Sequence, residues 1–194
     1  MGTIFVDNLE PQSGTSLTLG ASGDAINLAS GATAGFGKIG QVVQGTLTST
    51  FSSSNEANSP VDLGLSATIT PSSTSSKILC LVHIGLVSHS ADTTWSFFLL
   101  RGSTNIGIGD ASGIRIRANA GAGLQYNTSG WAGQNMAFNW LDSPATTSAT
   151  TYKIQTGGNG VATVYINRSA RDQNTLNDED LRTASTITLM EVLA

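Results

Sequence analysis

Catalysis needs a nucleophile, a proton carrier or a set of metal ligands, and this chain is sparing with all three. Its 194 residues include one cysteine, Cys80, and two histidines, His83 and His89. Cys80 lies inside the apolar run Ile78-Leu79-Cys80-Leu81-Val82. There a thiol acts as a small hydrophobe, since reactive cysteines sit in electropositive, partly open surroundings. With one cysteine, no intrachain disulfide can form. His83 shares the same apolar strand and reads as an interface side chain. Three symmetry copies of it on one axis could bind a metal or respond to pH. His89 precedes the polar stretch 90–94 and is expected to be solvated.

Serine is abundant, but no Gly-x-Ser-x-Gly nucleophile elbow appears. Glycoside cleavage needs two carboxyls facing each other across a groove. Glu56, Glu179 and Glu191 instead stand alone or in polar turns, which disfavours a polysaccharide depolymerase. The acidic cluster Asp172-Gln-Asn174-Thr-Leu-Asn177-Asp178-Glu179-Asp180 is rich in oxygen but lacks the EF-hand spacing and its glycine. It reads as a solvated loop. Gly35-Phe36-Gly37-Lys38-Ile39-Gly40 matches the dinucleotide fingerprint by letter, but that fingerprint needs a strand before it and a helix after it. Here small residues precede it and a β pattern follows, so it reads as a joint. No enzyme activity, cofactor or metal is expected.

The charge balance points the same way. Lys and Arg total 9, Asp and Glu 13, and the formal net charge is −4. Charged residues make up 11% of the chain, far below the usual quarter. No basic cluster gives the electrostatic footprint of a nucleic-acid binder. The start, Met1-Gly2-Thr3-Ile4-Phe5-Val6-Asp7, lacks the basic residues and long apolar core of a secretion signal. No stretch approaches the roughly 18–20 apolar residues of a membrane span, so no membrane insertion is expected.

These side chains must be positioned by strands. From Ile39 onward, strand-length runs alternate with Gly, Pro, Ser or Asn clusters. Strands are expected at Ile39–Phe51, Leu63–Thr70, Ile78–Val87, Trp95–Arg101, 106–108, 114–117, Met136–Leu141, Thr151–Thr156, Val161–Asn167 and Thr186–Leu193. No segment keeps helical spacing. The fold class is all-β: an antiparallel β-sandwich (jelly roll) head over 41–194, preceded by an extended N-terminal arm over 1–40. The arm's short apolar bursts, among them Ile4-Phe5-Val6 and Leu17-Thr18-Leu19, are separated by Gly- and Ser-rich turns. Forty such residues cannot bury a core of their own.

A sandwich strand with one wet face should alternate apolar and polar residues. Ile78–Val87 instead puts Ile78, Cys80, Val82, Ile84 and Leu86 on one side and Leu79, Leu81, His83 and Val87 on the other. Trp95–Leu100 is similar, and Trp95, Phe97, Phe138 and Trp140 are expected in the core. With no helix to cover a second apolar face, a neighbouring copy is the simplest cover. The expected trimer interface is therefore Leu79, Leu81, His83, Phe98 and Leu100. Loops carry recognition. Tyr126 and Trp131, in the Gly-rich segment 118–134, are candidate host-surface contacts together with Asn174, Asn177 and Asp178. Trp131 folding back onto the core is the competing reading.

The segment Thr3-Ile-Phe-Val-Asp7-Asn8-Leu-Glu-Pro11-Gln12-Ser13-Gly14-Thr15, with Leu17-Thr-Leu19-Gly20, resembles the N-terminal segments of tail-fibre and virion structural proteins of marine and freshwater phages. Thr68-Ile-Thr-Pro71-Ser72-Ser73, Phe98-Leu-Leu-Arg101-Gly102, Leu141-Asp142-Ser143-Pro144 and Ala184-Ser-Thr186-Ile187-Thr188-Leu189 resemble the C-terminal heads of the same proteins. By strand order the head also resembles the trimeric jelly-roll heads of the complement and tumour-necrosis-factor type. The resemblance implies a homotrimer located in the virion and made in the cytoplasm of a host bacterium. The arm (Ile4, Phe5, Val6, Asp7, Asn8, Leu17, Leu19) would attach to other virion proteins of tail or capsid. The head would face outward, toward a host cell-surface glycan. A short tail fibre or fibre head is the first reading. A capsid decoration (cement) or head-fibre protein that clamps capsomers is the second.

Overall fold

The computed structural model describes residues 38–124, 130, 132–176 and 178–193. The chain divides into two units, Met1–Gly37 and Lys38–Ala194, and the first lies outside the described residues. The arm residues Ile4, Phe5, Val6, Asp7, Asn8, Leu17 and Leu19 therefore lie there, as do Tyr126, Trp131 and Asn177 of the head. Ile39 and Gly40 already belong to the first strand, so the head begins before residue 41 and no helix follows the glycine joint.

Among the described residues eleven strands build the head: β1 (Ile39–Leu47), β2 (Phe51–Ser53), β3 (Val61–Ile69), β4 (Lys77–His89), β5 (Thr93–Arg101), β6 (Thr104–Ile106), β7 (Ala120–Leu124), β8 (Gln134–Asp142), β9 (Thr150–Gly157), β10 (Val164–Ile166) and β11 (Ser185–Val192). They form two antiparallel sheets. In the first, β4 carries β8 on one edge and β11 on the other, with β1 beyond β11. β10 and then β2 take over the β11 edge at the far end of β4. In the second sheet, β3 and β9 flank one edge of β5, while β6 and β7 share the other edge end to end. The chain crosses between sheets at β2–β3, β3–β4, β4–β5, β7–β8, β8–β9 and β9–β10, which is the alternation of a jelly roll.

The core follows from period-two alternation. β3 places Leu63, Leu65, Ala67 and Ile69 inward with polar or small residues between them. Ile78, Cys80, Val82 and Ile84 of β4 meet Trp95, Phe97 and Leu99 of β5, Tyr152 and Ile154 of β9, and Ile187 and Leu189 of β11. A bulge between Ile84 and Val87 then reverses the phase of β4. Val87 turns inward and Leu86 is half-buried, the opposite of the strict alternation expected for this strand. Gly158 lies flat against the Trp95 indole; a Cβ there would come within 2.8 Å of three ring carbons, so only glycine fits.

Four expectations give way to the structure. The run 114–117 is irregular and Ile114 is exposed, because no neighbouring strand receives it. The Gly-rich residues 120–124 form β7 because β5 supplies a ladder, whatever their weak strand preference. Trp140 is 43% exposed, since β8 is an edge strand with its far side open. His89 is only 4% exposed at the end of β4, where β10 pairs with it.

The base of the sandwich is held by two buried carboxylates. Asp142 accepts from Arg101 Nη1 at 2.8 and 3.0 Å and from the buried Tyr152 hydroxyl at 2.7 Å. This ties β8 to the opposite sheet. Glu191 accepts from the Ser72 N–H and Oγ, both at 2.6 Å, and from Gln41 Nε2 at 2.8 Å. Burial alone would raise the Glu191 carboxyl, but the hydrogen bonds from Ser72 and Gln41 outweigh it and hold it down at about 2. Because the folded value lies below the ordinary one, the stabilisation is complete above about pH 4.5 and is lost as pH falls toward about 2. Glu191→Gln should therefore melt below the wild type at neutral pH. The gap should narrow between those two values in a pH series of thermal melts; a gap independent of pH would refute this.

Candidate functional site

The outer face of the first sheet carries three rows that run across four strands. The first row is Val42, Met190, Leu79 and Leu141. Beside it run Gln44, Thr188, Leu81 and Asn139, and then Thr46, Thr186, His83 and Ala137. Val42 is 54% exposed and Leu81 38%. Among these twelve residues His83 is the only titratable side chain, and none is an acid or a lysine or arginine. A shallow depression of about 260 Å³ opens around Leu81, His83, Ala137, Asn139, Thr186 and Thr188. Depletion of charge around exposed aliphatic side chains is the compositional mark of an interface core.

The five residues expected at the trimer interface fall on strands of two different sheets. Leu79, Leu81 and His83 do share this outer face. Phe98 and Leu100 do not contribute to it: they are 3% and 4% exposed on β5, in the other sheet. Their second apolar face is buried within the protomer, so no neighbouring copy is needed to cover it. Cys80 points into the core, where desolvation pushes its thiol up to about 12 and leaves no thiolate for chemistry at neutral pH.

Lys38 and a set of joined loops lie at opposite ends of the sheet. The Leu193 N–H bonds to the Lys38 carbonyl at 2.7 Å, which places both at the end of β4 that holds Lys77. At the far end, roughly 40 Å away along the thirteen residues of β4, three loops are joined. The Ala57 N–H donates to Gly158 O at 2.6 Å and the Gly158 N–H to Asn55 O at 2.8 Å. The Thr163 N–H donates to Ser90 Oγ at 2.9 Å. Glu56, Ala57, Asn58, Ile116, Gly158 and Asn159 line a recess of about 240 Å³ there, and Val161 stands exposed beside it. Sequence reasoning missed this surface, since only tertiary pairing brings residues about a hundred positions apart together.

The acidic stretch before β11 is not a simple solvated loop. Arg171 pairs with Asp180 and, at 2.8 Å, with Glu179. Asp172 pairs with Arg168 at 3.1 Å and with Arg182 at 2.5 Å. Hydrogen bonds from Arg171 and Ser169 hold the Asp180 carboxyl down at about 2. The Arg171 N–H also bonds to Gly130 O at 2.9 Å, which brings this excursion beside the start of β8. Leu86, Ala132, Gly133, Asp178, Glu179 and Leu181 line a cleft of about 470 Å³ between the two. Asp178 is thus placed at a recess, and Asn174 lies exposed on the same excursion. Among the described residues no three His, Cys, Asp or Glu side chains are grouped to hold a metal. No described helix is long and apolar enough to cross a membrane.

Comparison with known proteins adds little. No family model matches the chain, and no curated protein matches it. Among solved structures, chains of infectious bursal disease virus superpose loosely. The Gx strain structure aligns at 18% identity and TM-score 0.36, covering 88% of this chain and 41% of that one. The Gt strain gives 17% and 0.36 over 88% and 42%. The crystal structure of the VP2 subviral particle gives 17% and 0.31 over the same shares. This chain spans about two fifths of the length of those chains. Agreement at that level is too loose to transfer activity or assembly.

Proposed function

We propose that this chain is a non-enzymatic virion structural protein of a phage, a short tail fibre or fibre head. It attaches to the particle through its N-terminal arm and presents a homotrimeric jelly-roll head to the host surface. The observation that carries this reading is the three-row outer face of the first sheet, twelve uncharged or imidazole side chains spread across four strands. A second copy suits it, because identical copies of a face without fixed charge meet without repulsion. The end-to-end layout supports an outward orientation: the arm joins at Lys38, and the linked loops around Glu56, Ser90 and Gly158 lie at the opposite end. The phage assignment draws on the resemblance of the arm and head segments. Single contacts with a cell-surface glycan would be weak, and threefold presentation on many fibres supplies avidity.

The cement-protein reading uses the same fold and differs in location and copy number. An electron-microscopy map of the intact particle separates the two. Tens of copies at the tail support the fibre, whereas hundreds of copies on the capsid lattice support decoration and refute it. For the fibre reading, the isolated trimer should bind host cells, and Val161→Asp at the distal end should reduce that binding several-fold. Wild-type binding to susceptible and resistant cells alike would count against it.

A further inference from the structure

We infer that His83 makes assembly of the head sensitive to acid, an inference that rests on the trimeric reading proposed above. His83 is exposed in the protomer, in the row Thr46, Thr186, His83 and Ala137. Its direct cross-strand neighbours, Thr186 on β11 and Ala137 on β8, are uncharged. The same holds for Leu81 on its own strand and for Thr46 on β1. Of the charged groups on surrounding elements, Asp178 and Glu179 line the cleft at Leu86, three residues along β4 from His83, and Glu179 is paired with Arg171. Asp142 and Glu191 are buried on the inner side, with Arg101 and Tyr152 on the one and Ser72 and Gln41 on the other. Arg182, ahead of β11, pairs with Asp172. Lys77 lies at the base end of β4, six residues from His83.

The physical consequence follows from what association removes. A protonated imidazole on the free protomer is solvated by water. Covering these rows strips that water, and none of their twelve residues is a carboxylate that could replace it, so the charged form is penalised in the assembly. Association is unaffected while the ring is neutral. It weakens as pH falls through the range in which imidazoles gain a proton, and the effect is multiplied over three copies.

The test is sedimentation of the full chain at about pH 7.5 and about pH 5, with circular dichroism at both to confirm folding. Wild type is compared with His83→Gln and His83→Asn. Wild-type association should weaken by roughly tenfold or more per subunit on acidification, while both variants change little. Equal wild-type association at both values would overturn the switch and leave the trimer standing. Equal loss in wild type and variants would overturn it too, by assigning the effect to another group. A protomer at both values would instead refute the trimeric reading itself.

Discussion

Replacing Asn167 by alanine is expected to destabilise the head by about 3–4 kcal/mol, a fall in melting temperature of roughly 10 °C for a domain of this size. Asn167 is fully buried between β10 and β11 and holds a left-handed φ of 64°. Its Nδ2 donates to Leu47 O at 2.9 Å and Ser49 O at 3.0 Å. Its Oδ1 accepts from Ser185 Oγ at 2.8 Å. That hydroxyl in turn accepts the Gly85 N–H at 2.9 Å, while Thr183 Oγ1 accepts the Leu86 N–H at 2.7 Å. The bulge in β4 thus finds its partners through side chains that Asn167 organises. Asn167→Gly should lose the same hydrogen bonds but relieve the backbone, and so be more stable than the alanine variant by about 1 kcal/mol. Chemical denaturation of the three proteins checks the order. Alanine and wild type within experimental error would dismiss Asn167 as the keystone of this junction.

Leu81→Asp should dismantle the proposed trimer while leaving the head folded. Leu81 is 38% exposed at the centre of the charge-free rows, so the protomer tolerates a polar replacement there. In the assembly, three carboxylates would be stripped of water with no arginine or lysine in the face to receive them. An unpaired buried charge costs about 3–5 kcal/mol, so association should weaken at least a hundredfold. Val161→Asp, on an exposed residue at the distal end, is the control and should leave the mass unchanged. A Leu81→Asp protein that sediments like the wild type would move the interface elsewhere.

What could be read from residues alone was set by periodicity. Alternation at Leu63–Ile69 gave that strand and its buried face directly, and Leu79 and Leu81 lie on the outer face of β4. Two kinds of information were hidden. A bulge leaves no trace in composition, so the reversal that buries Val87 in place of Leu86 needed the pairing with β8. Burial of a second apolar face has more than one source, and Phe98 and Leu100 turned out to be covered within the protomer. Ion pairs that close over eight or nine residues, such as Arg171 with Glu179 and Asp180, have no sequence signature comparable to a strand's. The distal loop surface was invisible for the same reason: Asn55 meets Gly158, and Ser90 meets Thr163, only once both sheets are formed.

The central claim is that the uncharged rows on β1, β11, β4 and β8 are shared between copies of the chain. Sedimentation equilibrium of the purified full chain at micromolar concentration and neutral pH tests it most directly. The account predicts a single species at three times the protomer mass of 20.0 kDa. A stable, folded species at the protomer mass would contradict it.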